Sequence, residues 1–312
     1  MARVTIRDVA RVTGLSPAAV SYALRGQHTS AETQRRVRRA AAELGYEAHP
    51  IARALASGKT GMVGLICGSL EDFWQQSLAV EIGRALLAVD RYAIILDAAD
   101  DPVRERELAR QLKEQQVDGL IVQPIDPSAP FWAELAAELP VVSIGDSLTG
   151  NPHGEVVFDN EEGLRLVLGH LAGHRIAVLT PTPLRVGLPP EIEVILTPSG
   201  LAESTAVARE LLVRPDRPTA VFCLSDSIAY GVYAATRELS LEVPDEISVC
   251  GYDAHPLSAL LSPPLTTVDW DLPEVAADSV RLVVGAIEEQ THRRIVRKPR
   301  LCPRTSTASI TD

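Results

Sequence analysis

The sequence has few aromatic residues, few cysteines and no long uncharged apolar run. Aromatic side chains make up 4% of its 312 residues, and the four cysteines (Cys67, Cys223, Cys250 and Cys302) are far apart, with no Cys-x-x-Cys or Cys/His cluster. This spacing predicts free thiols rather than metal ligands, and we expect no metal and no cofactor. A membrane span needs roughly 18 apolar residues in a row, so the sequence predicts neither a span nor a signal peptide. We therefore expect a cytoplasmic protein.

Charge is distributed unevenly along the chain. Residues 1–60 contain ten Lys and Arg against four Asp and Glu, a net charge of +6; because the whole chain carries −11, the remainder carries −17. A basic end on an acidic body is expected when only that end meets a polyanion, since phosphates would repel the rest. Solvated helix faces can produce the same charge balance, so the sequence motifs have to distinguish a polyanion-binding end from an ordinary charged surface.

The basic end has the pattern of a helix-turn-helix. Thr5 and the acid three residues later form a capping pattern before a helix that ends near Gly14. Ser16 is a good N-cap and Pro17 suits the first helical position, so a second helix begins at once and runs to about Leu24. Two short helices joined by a glycine-containing turn are typical of this DNA-binding motif, whose second helix enters the major groove.

A third helix is predicted after the motif. It begins with Ser30 as its cap, has an apolar stripe over 37–44 and stops at Gly45. Four arginines lie along it, at 35, 36, 38 and 39, and some of them are able to face DNA phosphates. The alternative is a small three-helix bundle of another kind; the caps, turn and charge together favour DNA binding.

The motifs of this head resemble those of one family of regulators. Residues 5–10 (TIRDVA), 14–16 (GLS), 19–24 (AVSYAL), 45–46 (GY) and 52–55 (ARAL) are similar to the head of the lactose/galactose repressor family. The similarity extends over nearly the whole chain. The resemblance implies a sequence-specific transcriptional regulator, a repressor that works as a homodimer on double-stranded operator DNA.

The resemblance also implies which residues contact DNA. Exposed residues early in the second helix read bases in this family, while hydroxyl groups and the helix N-terminus hold phosphates. Residues 50–56 resemble a hinge helix that folds on the operator and inserts a leucine into the minor groove, although Ala48 and His49 stand where the family usually has Pro-Asn. The predicted DNA-binding residues are Thr5, Ser16, Pro17, Ala18, Ser21, Tyr22, Ser30 and Leu55.

The remainder of the sequence alternates between buried-strand runs and amphipathic helices. Strand runs near 63–67, 92–96, 119–122 and 141–144 precede a second series near 175–179, 192–196, 220–224 and 247–251. This alternation predicts α/β lobes with parallel sheets, and two lobes side by side form a ligand cleft. The resemblance implies a two-lobed body of the periplasmic-binding-protein type I, with crossings near Asp159, near Val268 and in the last fifteen or so residues.

The resulting domain prediction has three parts. A helix-turn-helix head spans 1–47, a hinge helix and linker span 48–60, and an effector-binding and dimerisation body spans 61–312. Within the body we predict an N-lobe of about 61–159 and 269–296 and a C-lobe of about 160–268 and 297–312.

Effector-binding residues follow only from the resemblance. Trp74 stands where the family commonly stacks an aromatic on a ring, and Asp226 and Asp253 stand at positions that bind ligand hydroxyls. Ser69 and Asp146 are further candidates. The alternatives are a core tryptophan and two helix N-caps, since both aspartates come just before predicted helices.

One segment departs from the family. After the strand ending at Leu179, residues 180–191 contain four prolines and return to strand, whereas the family has a long helix with an arginine and a glycine facing the ligand. Either the effector arginine is absent or a segment is missing from the sequence; we favour the missing segment, because losing a crossover helix would expose a sheet face.

The sequence thus predicts a regulator modulated by a sugar or nucleoside, with an effector-independent regulator carrying a degenerate cleft as the alternative. No nucleophile motif accompanies the seven histidines, so we predict no enzyme. A transport-type binding protein would lack the head and require export. As a DNA-binding protein, the chain would associate with the nucleoid.

Overall fold

The chain forms two compact units, residues 1–60 and 61–312. The computed structural model describes residues 4–24, 26, 28–46, 58–150, 152–184, 187–289 and 292–309. The predicted hinge helix, including Leu55, lies outside the described residues. Among the helices that are described, none is both long enough and apolar enough to cross a membrane.

The first unit contains three short helices: α1 (Ile6–Thr13), α2 (Pro17–Leu24) and α3 (Ala31–Leu44). The side chains of Val9, Val20, Ala23 and Val37 are completely buried and form the centre of a small core shared by all three. Each helix therefore contributes an apolar stripe at helical spacing and leaves its opposite face to solvent.

Local capping chemistry sets the ends of these helices. The backbone N–H and the hydroxyl of Thr5 donate to the Asp8 carboxylate at 3.0 and 2.7 Å, and these hydrogen bonds lower the pKa of that carboxyl. Ser30 Oγ accepts from the Thr33 N–H at 3.2 Å and caps α3. Gly14 ends α1 at φ +65°, a left-handed conformation that glycine adopts without steric cost.

The second unit is an α/β body with two lobes. Its helices and strands, in chain order, are β1 (Met62–Cys67), α4 (Phe73–Leu87), β2 (Tyr92–Asp97), α5 (Pro102–Glu114), β3 (Gly119–Val122), α6 (Phe131–Ala136), β4 (Val141–Gly145), β5 (Gly154–Phe158), α7 (Asn160–His170), β6 (Ile176–Thr180), β7 (Glu193–Leu196), α8 (Leu201–Leu212), β8 (Ala220–Cys223), α9 (Asp226–Glu238), β9 (Ser248–Cys250), a 3-10 helix (Pro256–Ala259), β10 (Thr267–Asp269), α10 (Leu272–Glu289), β11 (Arg293–Arg297) and β12 (Arg300–Cys302).

The N-lobe is built on a parallel sheet with strand order β11-β5-β4-β3-β1-β2. Strands β1 and β3 are nearly fully buried, as expected for a parallel sheet covered on both faces. Helix α10 packs closely on this sheet: a Cβ at Gly119 would lie 2.9 Å from a methyl of Val283, so this position requires glycine.

The C-lobe is built on a second parallel sheet with strand order β7-β6-β8-β9. Ala177 and Leu179 point to the core under α8 and α9, whereas Val178 and Phe222 point to the core under α7. The chain passes between the lobes at Asp159, which caps α7, at β10, and between β11 and β12. The short antiparallel pair β10-β12 therefore lies at two of these passages.

The connection from β6 to β7 contains no helix among its described residues. The preference for a missing segment stays a prediction. Leu184, Leu188 and Ile192 pack in part where a crossover helix would lie. On β7 the same face remains open: Val194 and Leu196 are 42% and 56% exposed, although their partners in β6 are buried.

The predicted fold class, a helical head with an α/β body of parallel sheets, is confirmed. The eight predicted strand runs correspond to β1–β4 and β6–β9. The remaining strands, β5, β10, β11 and β12, were not predicted. They are three to five residues long and lie at or beside the passages between lobes, where short polar-apolar segments give little periodic signal.

Candidate DNA-binding face and interlobe cavities

Helix α2 presents one face to solvent. Val20 and Ala23 are buried against the other two helices, while Pro17 and Ala18 are exposed and Tyr22 is 40% exposed. Ala18 and Tyr22 are four residues apart and therefore lie on the same side of the helix. This face offers a small apolar surface and one phenol hydroxyl, which suits contact with a thymine methyl and a single hydrogen bond to a base.

The edges of this face carry hydroxyl groups. Ser16 is exposed, and its Oγ accepts the Ala19 N–H at 3.2 Å as the cap of α2; Ser21 is partly buried one helical turn along. Tyr22 is held from the side by the ring of His28, edge-to-face, with ring centroids 5.3 Å apart. The N-terminus of a helix attracts anions through its free N–H groups, so this end of α2 is suited to a phosphate.

Helix α3 carries the largest group of cations in the head. Its four arginines, at 35, 36, 38 and 39, are all exposed. Arg39 is paired with Glu43 at 2.9 Å, a surface pair whose contribution to stability is small. The structure therefore keeps these charges at the surface and available for electrostatic attraction to a polyanion.

Two cavities lie between the lobes of the body. The aromatic cavity, of about 400 Å³, is lined by Phe158, Phe222 and Tyr252 together with polar groups that include Asp146 and Thr180. The ring centroids of Phe222 and Tyr252 lie 5.8 Å apart. Residues from both lobes contribute, so a ligand here would contact both.

The acidic cavity, of about 380 Å³, lies on the other side of the β6–β7 connection. Its lining includes Ser69 and the carboxyl groups of Glu71, Asp97, Asp100 and Glu203. Pro181 lines this cavity, whereas the next three residues, 182–184, line the aromatic one. The connection that replaces a crossover helix therefore lies at the boundary between the two.

Charge is concentrated in the acidic cavity. Burial, and then the nearby carboxylate of Asp72, raise the pKa of Asp100 to about 6, while a hydrogen bond from Ser69 acts in the opposite direction. Ionised carboxylates accept strong hydrogen bonds from hydroxyl and amino groups. A ligand rich in such donors fits this cavity better than an apolar or anionic one.

Of the five predicted effector residues, two line these cavities: Ser69 the acidic one and Asp146 the aromatic one. Trp74 lines neither cavity in the part of the chain that the structure describes; its indole is 3% exposed and meets Phe158 edge-to-face in the core. The position of Trp74 is thus the core position that we considered as the alternative.

Asp226 holds the C-lobe together. Its carboxylate accepts the His255 N–H at 2.8 Å and the hydroxyls of Ser258 and Thr267 at 2.6 Å each, and it is 1% exposed. Burial raises its pKa to about 6, even though these hydrogen bonds oppose the shift. The N-cap alternative is wrong, because Ser225 occupies the cap position of α9. With three bonds from the protein, the carboxylate has little capacity left for a ligand.

Asp253 lies at a bend after β9, with φ +112°. Burial raises the pKa of its carboxyl well above the usual range, and the carboxylates of Asp72 and Asp226 add to the shift. The N-cap alternative is wrong here as well, since His255 caps the 3-10 helix. Its role in binding an effector stays a prediction.

Phe73 is an aromatic side chain that reaches across the lobes, and sequence reasoning missed it. Its ring lies 5.8 Å from that of Tyr230 and 5.7 Å from that of His255, both in the C-lobe. Phe73 and Trp74 are adjacent at the start of α4, and only the rotational phase of that helix decides which one points to the cleft.

Comparison with known proteins gives consistent matches to both units. Residues 5–49 match the model of "Bacterial regulatory proteins, lacI family", and residues 182–307 match that of a periplasmic binding protein-like domain. The repressor PurR of Aliivibrio salmonicida is 30% identical over 93% of this chain and 94% of its own length. The ribose operon repressor of Haemophilus influenzae is 28% identical over 98% of this chain and 99% of its own.

Solved structures agree with the fold. The lac repressor dimer bound to operator and an anti-inducer is 24% identical, with a TM-score of 0.81, and the match covers 99% of this chain and 100% of that one. A complex of the transcriptional regulator CelR with cellobiose matches with a TM-score of 0.67 over 97% of this chain and 100% of that one, again at 24% identity. At this identity the likeness concerns the fold.

Proposed function

Because the chain belongs to the lacI family of bacterial regulatory proteins, we propose that it is a sequence-specific, DNA-binding transcriptional repressor whose activity is modulated by a small molecule. The observation that carries the proposal is the exposed face of α2 in a head of net charge +6 on a body of −17. We expect such a protein to act in the cytoplasm, at the nucleoid, and to have no catalytic activity.

On this proposal the head divides its DNA contacts by chemistry. Ala18 and Tyr22 read base edges in the major groove, and Ser16 and Ser21 with the N-terminus of α2 bind phosphates. Pro17 has no side-chain donor, so part of the operator preference comes from DNA shape. Thr5 and Ser30 cap the flanking helices and thereby position the phosphate contacts. Leu55 in the linker is proposed as the minor-groove wedge.

A homodimer is proposed because the body has exposed apolar side chains at one edge of its N-lobe sheet. Val80 and Leu87 on α4 are 49% and 58% exposed, and Tyr92 and Ile95 on the neighbouring edge strand β2 are 63% and 41% exposed. Exposed apolar side chains at a sheet edge and on the helix beside it are commonly covered by a partner. A symmetric pair would present two heads to half-sites about one helical turn apart on a pseudo-palindromic operator.

We propose a sugar or nucleoside as the effector class. The support is chemical: the acidic cavity offers carboxylates for hydroxyl groups, and the aromatic cavity offers rings for the apolar face of a sugar or base. One matched relative is named as the repressor of a ribose operon, which agrees with the sugar class.

A second candidate is a regulator that works without an effector. It is favoured by the β6–β7 connection, which lacks a helix in its described residues, and by direct hydrogen bonds between the lobes near Asp72. A thermal-shift screen with sugars and nucleosides separates the candidates. A ligand present at 100 times its Kd stabilises the folded state by about 2.7 kcal/mol, which raises the melting temperature. No shift with any member of either class would favour the second candidate.

The DNA-binding proposal is tested by selecting bound sequences from random duplex DNA with the full-length protein. We expect a two-fold symmetric site. Tyr22→Ala should then relax the sequence preference by about 1–3 kcal/mol at the contacted position, whereas Ser21→Ala should weaken binding to all sequences similarly. Recovery of no enriched sequence, with no binding to any duplex at low salt, would refute the proposal.

A further inference from the structure

The N-termini of two helices from opposite lobes meet in the body. Asp72 caps α4 of the N-lobe: its Oδ1 accepts the N–H groups of Trp74 and Gln75 at 2.9 and 3.0 Å. Ser225 caps α9 of the C-lobe, with its Oγ accepting the Ser227 N–H at 3.0 Å. Both helices therefore direct the positive ends of their dipoles toward the same small volume.

A carboxylate of the chain itself occupies that volume. The second oxygen of Asp72 accepts a hydrogen bond from the Ser225 hydroxyl, which joins the caps of the two helices directly. A second bond runs in parallel, since the Phe73 N–H donates to Ser227 Oγ at 2.9 Å. Two adjacent residues of one lobe are thus bonded to the first turn of a helix in the other.

These contacts are buried. Asp72, Ser225 and Ser227 are 4%, 3% and 3% exposed. The ring of Phe73 covers them on one side, in contact with the rings of Tyr230 and His255. Separation of the lobes would exchange these two buried hydrogen bonds, one of them to a charged group, for bonds to water, and the net contribution of such bonds favours the closed arrangement.

We propose that Asp72 is a positioning residue that closes the body without a ligand, by acting as a built-in bridge between the two helix N-termini. In a two-lobed binding protein an added ligand usually supplies the contacts that draw the lobes together. In this protein the chain itself supplies one set of contacts between the lobes. An effector of this protein therefore acts on a body that is already closed, and an effector that displaces the bridge opens it.

The chain offers a matched control. Asp101 caps α5 with the same geometry, since its Oδ1 accepts the N–H groups of Val103 and Arg104 at 2.8 and 3.3 Å, but it is exposed and bonds within one lobe. Asp72→Ala and Asp101→Ala both remove a helix cap, a loss of comparable size. Only Asp72→Ala removes a contact between lobes.

The test measures the distance between lobes in the full-length protein with no effector or DNA added. Spin labels are placed at Glu107→Cys on the N-lobe and Glu210→Cys on the C-lobe, both exposed positions. Cys302 is replaced by serine; the other three cysteines are buried, and burial raises the pKa of the Cys67 thiol to about 12, so they react little with the label.

We expect one narrow distance distribution for the parent protein and for Asp101→Ala, and a longer, broader one for Asp72→Ala. Ser225→Ala should give the same change in lobe distance as Asp72→Ala, and the double variant should add nothing, because both substitutions remove the same hydrogen bond between the lobes. Asp72→Asn keeps one oxygen to cap α4, and its amide N–H can donate to Ser225 Oγ, so this variant should remain closed. Should Asp72→Ala be poorly folded by circular dichroism, the Ser225→Ala and Asp72→Asn pair decides the question.

An Asp72→Ala or Ser225→Ala distribution identical to that of the Asp101→Ala control would overturn the proposal. This experiment involves neither operator nor effector, so its failure is distinct from failure of the proposed repressor function. A protein that binds an operator but keeps its lobe distance in every variant would remain a repressor without the bridge.

Discussion

Replacement of Asp226 by alanine separates two roles for this side chain, effector binding and assembly of the C-lobe. The carboxylate joins the start of α9 to the 3-10 helix through His255 and Ser258 and to β10 through Thr267. Hydrogen bonds to a charged group contribute about 1.5–3 kcal/mol each, which sets limits of about 1.5 kcal/mol for one bond and about 9 kcal/mol for three independent bonds. Because one carboxylate makes all three, they are not independent. We expect Asp226→Ala to lower the free energy of unfolding by about 4 kcal/mol.

The assay is urea unfolding at pH 7.5, followed by circular dichroism and repeated by calorimetry. In a unit of this size a loss of about 4 kcal/mol lowers the melting temperature by about 8–16 °C. Asp226→Asn, which keeps one acceptor oxygen, should lose less than half as much. A variant Asp226→Ala that unfolds within about 1 kcal/mol of the parent, yet no longer shows a ligand-induced thermal shift, would refute the structural argument and restore Asp226 to the effector site.

Two further predictions concern the body. Burial raises the pKa of Glu105 to about 7 from 4.5. The favourable contribution of this side chain to folding is therefore complete below pH 4.5 and is lost as the pH rises through 7. At about 1.4 kcal/mol per pH unit, the loss of unfolding free energy amounts to about 3 kcal/mol. Glu105→Gln should flatten the decline in unfolding free energy between pH 5 and 8, and an unchanged slope in urea titrations would contradict this. On the open face of β7, Leu196→Lys should change the free energy of unfolding by less than about 0.5 kcal/mol, whereas Phe222→Ala in the same sheet should cost about 3–5 kcal/mol. Equal losses for the two would mean that the face of β7 is covered in solution.

The β6–β7 connection changes how the cleft of this fold is divided. Residues 181–184 follow β6 directly and line both cavities. Carboxyl groups line both cavities, and the aromatic rings lie on the side of the aromatic cavity. A ligand that spans both cavities would have to displace this segment. A ligand confined to the acidic cavity would meet carboxylates, and one confined to the aromatic cavity would meet rings as well, which is the physical reason for screening sugars and nucleosides side by side.

The sequence by itself determined those features that depend on neighbours along the chain. Thr5 with Asp8, Ser30 with Thr33, and the left-handed Gly14 are local devices, because their hydrogen bonds and dihedral angles involve residues at most four apart. The alternation of buried strands and helices is likewise local, and it was sufficient for the parallel sheets of both lobes. The motif residues of the head were sufficient for the family.

Tertiary structure alone decided which side chains face the cleft. Phe73 and Trp74 differ by one position, and the packing of α4 on the sheet turned the first toward the C-lobe and the second into the core. Asp72 and Asp226 look alike in sequence, each beside the start of a helix, yet the interlobe partner of Asp72 lies 153 residues away and the partners of Asp226 lie 29 to 41 residues away. Such partners are set by how the lobes come together, and no local pattern in the chain contains that information.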